Sequence, residues 1–285
     1  MRRLTIAAVA AISTISLPQT TSAADLPYKA PAYVPPLPLA YSWTGFYVGG
    51  EVGAKWGRDE WTATSLADTA IGGVRSPIDS SSPRNYDSTA ARFGVFAGYN
   101  WQFAPRWVAG IEGDWAYANK ATTEVGFPGC TNAVCTVGFV SVPNGQPAGG
   151  DLTSFKMRWD ASVRGRLGFL ATPDLLLYGT GGVAWQNVEV SGACGPWPSS
   201  FQCNGPPQPV PSFVSQTNTL TGWTVGAGAE WHAWGNWLLR GEYRYANFGT
   251  SSYVFPFGTT VTNNTYRFDV HNQTHIATFG LAYKF

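Results

Sequence analysis

Three sets of side chains in this chain have types and spacings that could do chemistry. The first is a series of acids and bases at alternate positions in short apolar stretches: Glu51, Lys55, Arg92, Glu112, Asp114, Arg158, Asp160, Arg164, Arg166, Glu230, Arg240, Glu242, Arg244 and Lys284. Such a set could line an ion path, or it could neutralise itself. The second is Cys130, Cys135, Cys194 and Cys203. Their spacing contains no C-x-x-C pair and no histidine stands near them, so a zinc site is disfavoured. In an exported chain an even cysteine count suggests disulfides, Cys130–Cys135 and Cys194–Cys203 being the sequence-local choice among the three pairings that four cysteines allow. The third is Ser251 and Ser252 ahead of His271 and His275, which supplies a nucleophile and a base but no recognisable acid or oxyanion element. Histidines four apart make a metal pair on a helix, not on a strand. With His232 they account for every histidine, and none forms an identifiable haem axial site. The reading is therefore of no enzyme, no metal and no cofactor.

What must position these groups follows from composition. Of 285 residues 15% are aromatic, 13 of them Trp, while Asp, Glu, Lys and Arg together reach only 12%, about half the globular norm. Glycine is abundant at 33 residues, and a net charge of +1 points to no nucleic-acid partner. Few charges, many aromatics and no long apolar run are what a membrane-spanning β-barrel needs. Residues 1–24 read as a secretory signal: Arg2 and Arg3, an apolar stretch from Leu4 to Leu17, then small residues to Ala24. Residues 25–42 read as a Pro-rich periplasmic linker, and 43–285 as the barrel.

Eight strands are expected, near 43–56, 89–103, 107–118, 157–171, 175–187, 219–232, 237–248 and 273–285. Three joins are tight turns built on Pro105, Pro173 and Gly235. The other four (57–88, 119–156, 188–218 and 249–272) are long, rich in Ser, Thr, Pro, Gly and Asn, and read as loops with little periodicity. Short turns on one rim and long loops on the other is the layout of an outer-membrane barrel with its loops outside the cell. The fold class is all-β, an eight-stranded antiparallel up-and-down transmembrane β-barrel.

Parity assigns the faces. Side chains alternate across a strand, and the charges share one face while Phe46, Val95, Ile111, Trp115, Val163, Leu167, Trp223, Tyr243 and Phe279 share the other. An Arg or Lys on the lipid face near the midplane costs roughly 2–4 kcal/mol, so three would cost on the order of 6–12, comparable to a domain's whole stability. The charges must face the lumen. A soluble lipocalin-like barrel would reverse this parity, with a greasy lumen and a charged exterior. Eight strands leave room only for side chains, whereas water-filled porins use about 16–18, so the inward set is expected to plug the barrel.

Several stretches also resemble a known family: Trp43-Thr-Gly-Phe-Tyr-Val-Gly-Gly50, Phe93-Gly-Val-Phe-Ala-Gly-Tyr-Asn-Trp101, Gly110-Ile-Glu-Gly-Asp-Trp115, Leu177-Tyr-Gly-Thr-Gly-Gly-Val-Ala-Trp185, Trp223-Thr-Val-Gly-Ala-Gly-Ala-Glu230 and the terminal Phe285. They look like the alphaproteobacterial outer membrane immunogenic proteins, also labelled porin family proteins, whose barrels are OmpA-like. The resemblance implies residence in the cell outer membrane among lipid and lipopolysaccharide, and antigenic surface loops open to host or surface ligands. It also implies insertion by the outer-membrane assembly machinery, with Phe279, Leu281, Tyr283 and Phe285 resembling the family's assembly signal. The function expected is structural and interfacial: envelope integrity, surface antigen and attachment. A small pore or a haem-binding surface protein is the alternative.

Overall fold

The structure, a computed structural model, describes residues 41–68, 74–75, 78–130, 151–193, 213–258 and 263–285. The segments read as signal and most of the linker lie outside these residues. Eight long strands form an antiparallel ring: β1 (Gly45–Asp68), β3 (Arg84–Ala104), β4 (Trp107–Val125), β5 (Leu152–Thr172), β6 (Leu175–Ala193), β7 (Phe213–Trp234), β8 (Trp237–Gly258) and β9 (Asn263–Lys284). Each pairs with the next, and β9 closes onto β1. A two-residue strand β2 (Val74–Arg75) lies against the far end of β1.

The turn rim is built by repetition. Residues 105–106, 173–174 and 235–236 turn the chain, and a one-residue register shift adjoins each turn. Gly235 takes φ +54° there, a conformation that costs glycine little. Each turn then accepts a backbone hydrogen bond from a later strand end: Leu170 donates to Arg106, His232 to Asp174 and Lys284 to Asn236. Phe285 donates to Phe46 at 2.9 Å, so the chain's end is stitched to the first strand. Trp43 does not begin that strand. It is buried beneath the ring, its indole donating to the Pro173 carbonyl at 3.0 Å, in an apolar cluster with Val108, Leu170, Leu176 and Leu238.

At the other rim the structure departs from the expected loops. The strands run well past the expected ends, and segments taken for aperiodic joins are regular β-structure. Their periodicity is visible on inspection: Tyr253, Phe255 and Phe257 alternate on β8, and Tyr266, Phe268 and Val270 on β9. These rings turn inward, and Trp61 stacks on Phe268 at 4.1 Å between centroids. The ring also splits here. Among the described residues the β3–β4 ladder stops at Phe93↔Tyr117 and the β7–β8 ladder at Trp223↔Asn247. Beyond those rungs the strands form two four-stranded sheets, β8-β9-β1-β3 and β4-β5-β6-β7, facing each other across an apolar core. Trp61, Tyr86, Phe255 and Phe268 from one sheet meet Phe155, Met157, Val188 and Val190 from the other. Pro256 sits in β8 because that stretch is a sheet edge, where a missing N–H breaks no ladder bond. Phe127, just after β4, caps the core against Phe257 and Tyr266.

The lipocalin-like parity set aside for the whole chain is thus the parity of its loop-side half. Aromatics face outward in the membrane half, where Phe46 is 66% and Phe93 59% exposed, and inward above it. Trp61→Ala is expected to cost about 3–5 kcal/mol, as large buried aromatics do. Amide hydrogen exchange in the refolded protein should then speed up in the loop-side strand halves and stay unchanged below Phe93 and Tyr117.

Candidate functional site

Between the two apolar clusters the lumen holds charge. Six cations (Lys55, Arg92, Arg164, Arg166, Arg240, Arg244) and six carboxylates (Glu51, Glu112, Asp114, Asp160, Glu230, Glu242) point inward and are buried. All twelve take part in ion pairs with one another. Alternation puts them there: each lies on the parity opposite the lipid-facing aromatics of its strand.

The set forms two linked groups. Arg92 reaches Asp114 at 2.7 Å and Asp160 at 2.8 Å and also bonds Glu51, while Lys55 holds the other Asp160 oxygen at 3.0 Å. Nearer the turn rim, Arg164 bridges Glu112 and Glu242, both at 2.6 Å, Arg166 meets Glu230 at 2.6 Å, and Arg240 bonds Glu112. Arg244 joins the groups through Asp114 at 2.8 Å and Glu242 at 3.2 Å. Charge-assisted bonds of this length are the strong class, and the forked guanidinium suits several acceptors at once.

Sequence reasoning missed the neutral members. Tyr47 accepts from Arg166 at 2.8 Å and donates to Glu112 at 2.7 Å; Tyr178 donates to Glu242 at 2.8 Å. Arg240 lies over the Phe96 ring at 4.1 Å, and Arg166 over the Tyr178 ring at the same distance. Parity alone could have found Tyr47, which stands in register with Glu51 and Lys55, and Phe96, which stands in register with Arg92. Glycine makes the space. A Cβ on Gly226 would lie 2.8 Å from the Arg244 Cγ, and one on Gly228 would lie 2.5 Å from the Tyr178 hydroxyl.

Two expected members fall outside the network. Arg158 is the extra residue of a β-bulge in the β5–β6 ladder, and the β4–β5 ladder shifts at the same level with its extra residue on β4, so Met157 and Asp160 both face inward and Arg158 faces out. Its side chain is 46% exposed and lies 3.7 Å from Glu189 on the outer wall. Lys284 has the expected parity but stands at the turn rim over the Tyr41 ring, with no carboxylate partner among the described residues. Phe279, Leu281 and Phe285 are exposed on the lipid face, and Tyr283 lies half-buried on it, edge-on to Trp237 and Phe285.

The remaining candidates are placed as follows. Cys130 is buried and disulfide-bonded; Cys135, Cys194 and Cys203 lie outside the described residues. Ser252 donates to Asp269 at 2.6 Å, while His271 bonds Thr250 and His275 bonds Tyr243. Ser251 is paired across the ladder with Val270. His232 lies at the turn rim, stacked on Tyr41 and bonded to Asp174.

Against this geometry, a family model described as the outer membrane protein beta-barrel domain matches residues 7–285. The chain belongs to that family. It is 30% identical over 289 residues to the 31 kDa outer-membrane immunogenic protein of Brucella melitensis, covering 100% of both chains. It is 29% identical over 224 residues to a 22 kDa outer membrane protein of Rhizobium leguminosarum, covering 79% of this chain and 73% of the relative. Among solved structures it is similar to Ail, the attachment invasion locus protein of Yersinia pestis, at 16% identity, covering 84% of this chain and 99% of the other with a TM-score of 0.38. At that score the two barrels superpose only loosely. The protein is an outer-membrane β-barrel resident in the bacterial outer membrane, of the alphaproteobacterial kind that the sequence motifs resemble.

In a family barrel the lumen charges act as a unit, so breaking one should cost more than one bond. Arg92→Met leaves Glu51, Asp114 and Asp160 facing a neutral side chain and should destabilise the barrel by about 3–5 kcal/mol, the usual cost of stranding a buried ion partner. Urea unfolding in lipid vesicles measures this. Arg158→Met, on the outer wall, should stay within about 0.5 kcal/mol of the parent, as surface substitutions usually do.

Proposed function

We propose that this outer-membrane barrel is a closed structural element that carries a folded platform above the membrane and does not conduct. The observation that supports it is the filling of the lumen in three successive layers. Trp43 and its apolar neighbours occupy the turn rim, the neutralised charge layer the middle, and the aromatic core the loop side. Water-filled barrels of this class need about twice as many strands.

The two-sheet platform gives the envelope role and the surface role one physical basis. Its aromatic core holds the strand ends rigid, so the connections that leave it start from fixed positions. Such an arrangement suits antigen presentation and attachment to a host or surface ligand. The last strand suits delivery by the assembly machinery, since it ends in outward aromatics on the edge that closes the ring. Phe285→Ala should lower the folded fraction in outer-membrane extracts, read as heat-modifiable mobility on gels. Unchanged insertion would remove that role.

Planar-bilayer recording of the purified, refolded protein tests the closed lumen. The expected trace is flat, with no stable openings. Reproducible single-channel steps in the parent protein would contradict the proposal.

A further inference from the structure

The twelve lumen charges balance, but one more acid stands above them. Asp59 shares the inward face of β1 with Glu51 and Lys55 and lies beyond the rung where β3 and β4 part. It is fully buried. Lys55 is committed to Asp160 at 3.0 Å, and among the described residues Asp59 enters no ion pair. Its Oδ1 accepts from the Asn272 amide at 2.7 Å, while its Oδ2 has no partner. A buried carboxylate without a counter-charge is costly, so this one must take up either a proton or a metal ion. Burial pushes its pKa up to about 8, against the pull of the Asn272 bond and of Lys55.

The surroundings decide between the two. Asp59 is paired with Asn272 across β1 and β9. On the next inward rung toward the membrane, Gly57 stands between Ser88 of β3 and Thr274 of β9. All five are buried. A Cβ on Gly57 would lie 2.8 Å from Ser88 Oγ and 3.1 Å from Asp59 Oδ2, so both oxygens border the space that the glycine leaves. No hydrogen bond joins them; Ser88 gives its hydrogen to Met157 Sδ at 3.7 Å, which leaves its lone pairs free. The Asn272 carbonyl oxygen and the Thr274 hydroxyl are likewise buried with no partner. A proton on Asp59 would satisfy one oxygen and leave the Asn272 carbonyl unmatched, whereas a cation can be shared by several.

We infer that Asp59 Oδ2, Ser88 Oγ, Asn272 Oδ1 and Thr274 Oγ1 hold one alkali-metal cation. Ligands that are all oxygen suit a hard ion. A single carboxylate cancels a single charge, and calcium takes roughly 6–8 oxygens, commonly with several carboxylates among them. The ion ties β1, β3 and β9 together just where the membrane ladder gives way to the two sheets. The site belongs to the two-sheet half, so it stands or falls independently of whether the lumen conducts.

The test is urea unfolding of the full mature chain, refolded in phosphatidylcholine vesicles at pH 9. Sodium chloride replaces choline chloride at fixed total concentration, so that screening stays constant. The folding equilibrium constant of the parent should rise on the order of tenfold for each tenfold rise in sodium above the dissociation constant, as linkage to one bound ion requires. Asp59→Asn, which keeps the shape and removes the charge, should show no such rise and should be at least as stable as the parent in choline alone. A flat response in the parent would overturn the site, since a proton or water then suffices for Asp59. An equal rise in the parent and in Asp59→Asn would overturn it as well, by placing the ion elsewhere. Should that variant fail to fold, crystals of the parent grown in rubidium chloride decide. An anomalous peak bonded to Asp59 Oδ2 is expected there, and its absence counts against the site.

Discussion

Everything in this barrel depends on six cations and six carboxylates neutralising one another in a space closed to lipid. The network is not chiefly a source of stability. Replacing buried ion pairs with well-packed apolar groups is often neutral or favourable, because desolvating the ions costs as much as their attraction returns. Its consequence is for register. A slip of one residue exchanges the faces of a strand. For β5 such a slip would send Arg164 and Arg166 into hydrocarbon at roughly 2–4 kcal/mol each and strand their partners. A lumen as apolar as the exterior would give the strand no such preference.

The same strands serve two environments in succession. On β9 a single inward face carries Gly280, Thr278 and Thr274 in the membrane half and Val270, Phe268 and Tyr266 above it. No bulge on that strand is needed; the residue types change while the parity stays. On β5 the change is made by the bulge at Arg158, and on β8 by the shift between Asn247 and Gly249, where Gly249 takes φ +69°. Once water replaces lipid outside, the ring is free to part at β3–β4 and β7–β8. The hydrophobic effect then closes two sheets over their own aromatic rings.

How much of this could be read from the sequence follows from the same physics. The membrane half was legible because lipid enforces strict alternation: Arg92 against Phe93, Arg164 against Val163, Arg244 against Tyr243. The turns at Pro105, Pro173 and Gly235 were equally plain. Arg158 was misplaced because a bulge adds one residue without any signature of its own in the sequence. The platform was read as loops because its aromatic alternation is interrupted by Ser, Thr, Asn and Pro256, which a soluble sheet edge tolerates. Tyr47 and Tyr178 were passed over because a tyrosine on an inward face shows no charge, although its hydroxyl completes the network.

The most direct measurement is the exchange behaviour of the arginine side chains themselves. In ¹⁵N-labelled protein in micelles, the account predicts resolved, slowly exchanging guanidinium signals for Arg92, Arg164, Arg166, Arg240 and Arg244, each lost on mutation of that arginine. The signal of Arg158 should be averaged and fast. Averaged, rapidly exchanging signals from the five inward arginines would mean a hydrated lumen, and would contradict the sealed charge layer on which the rest depends.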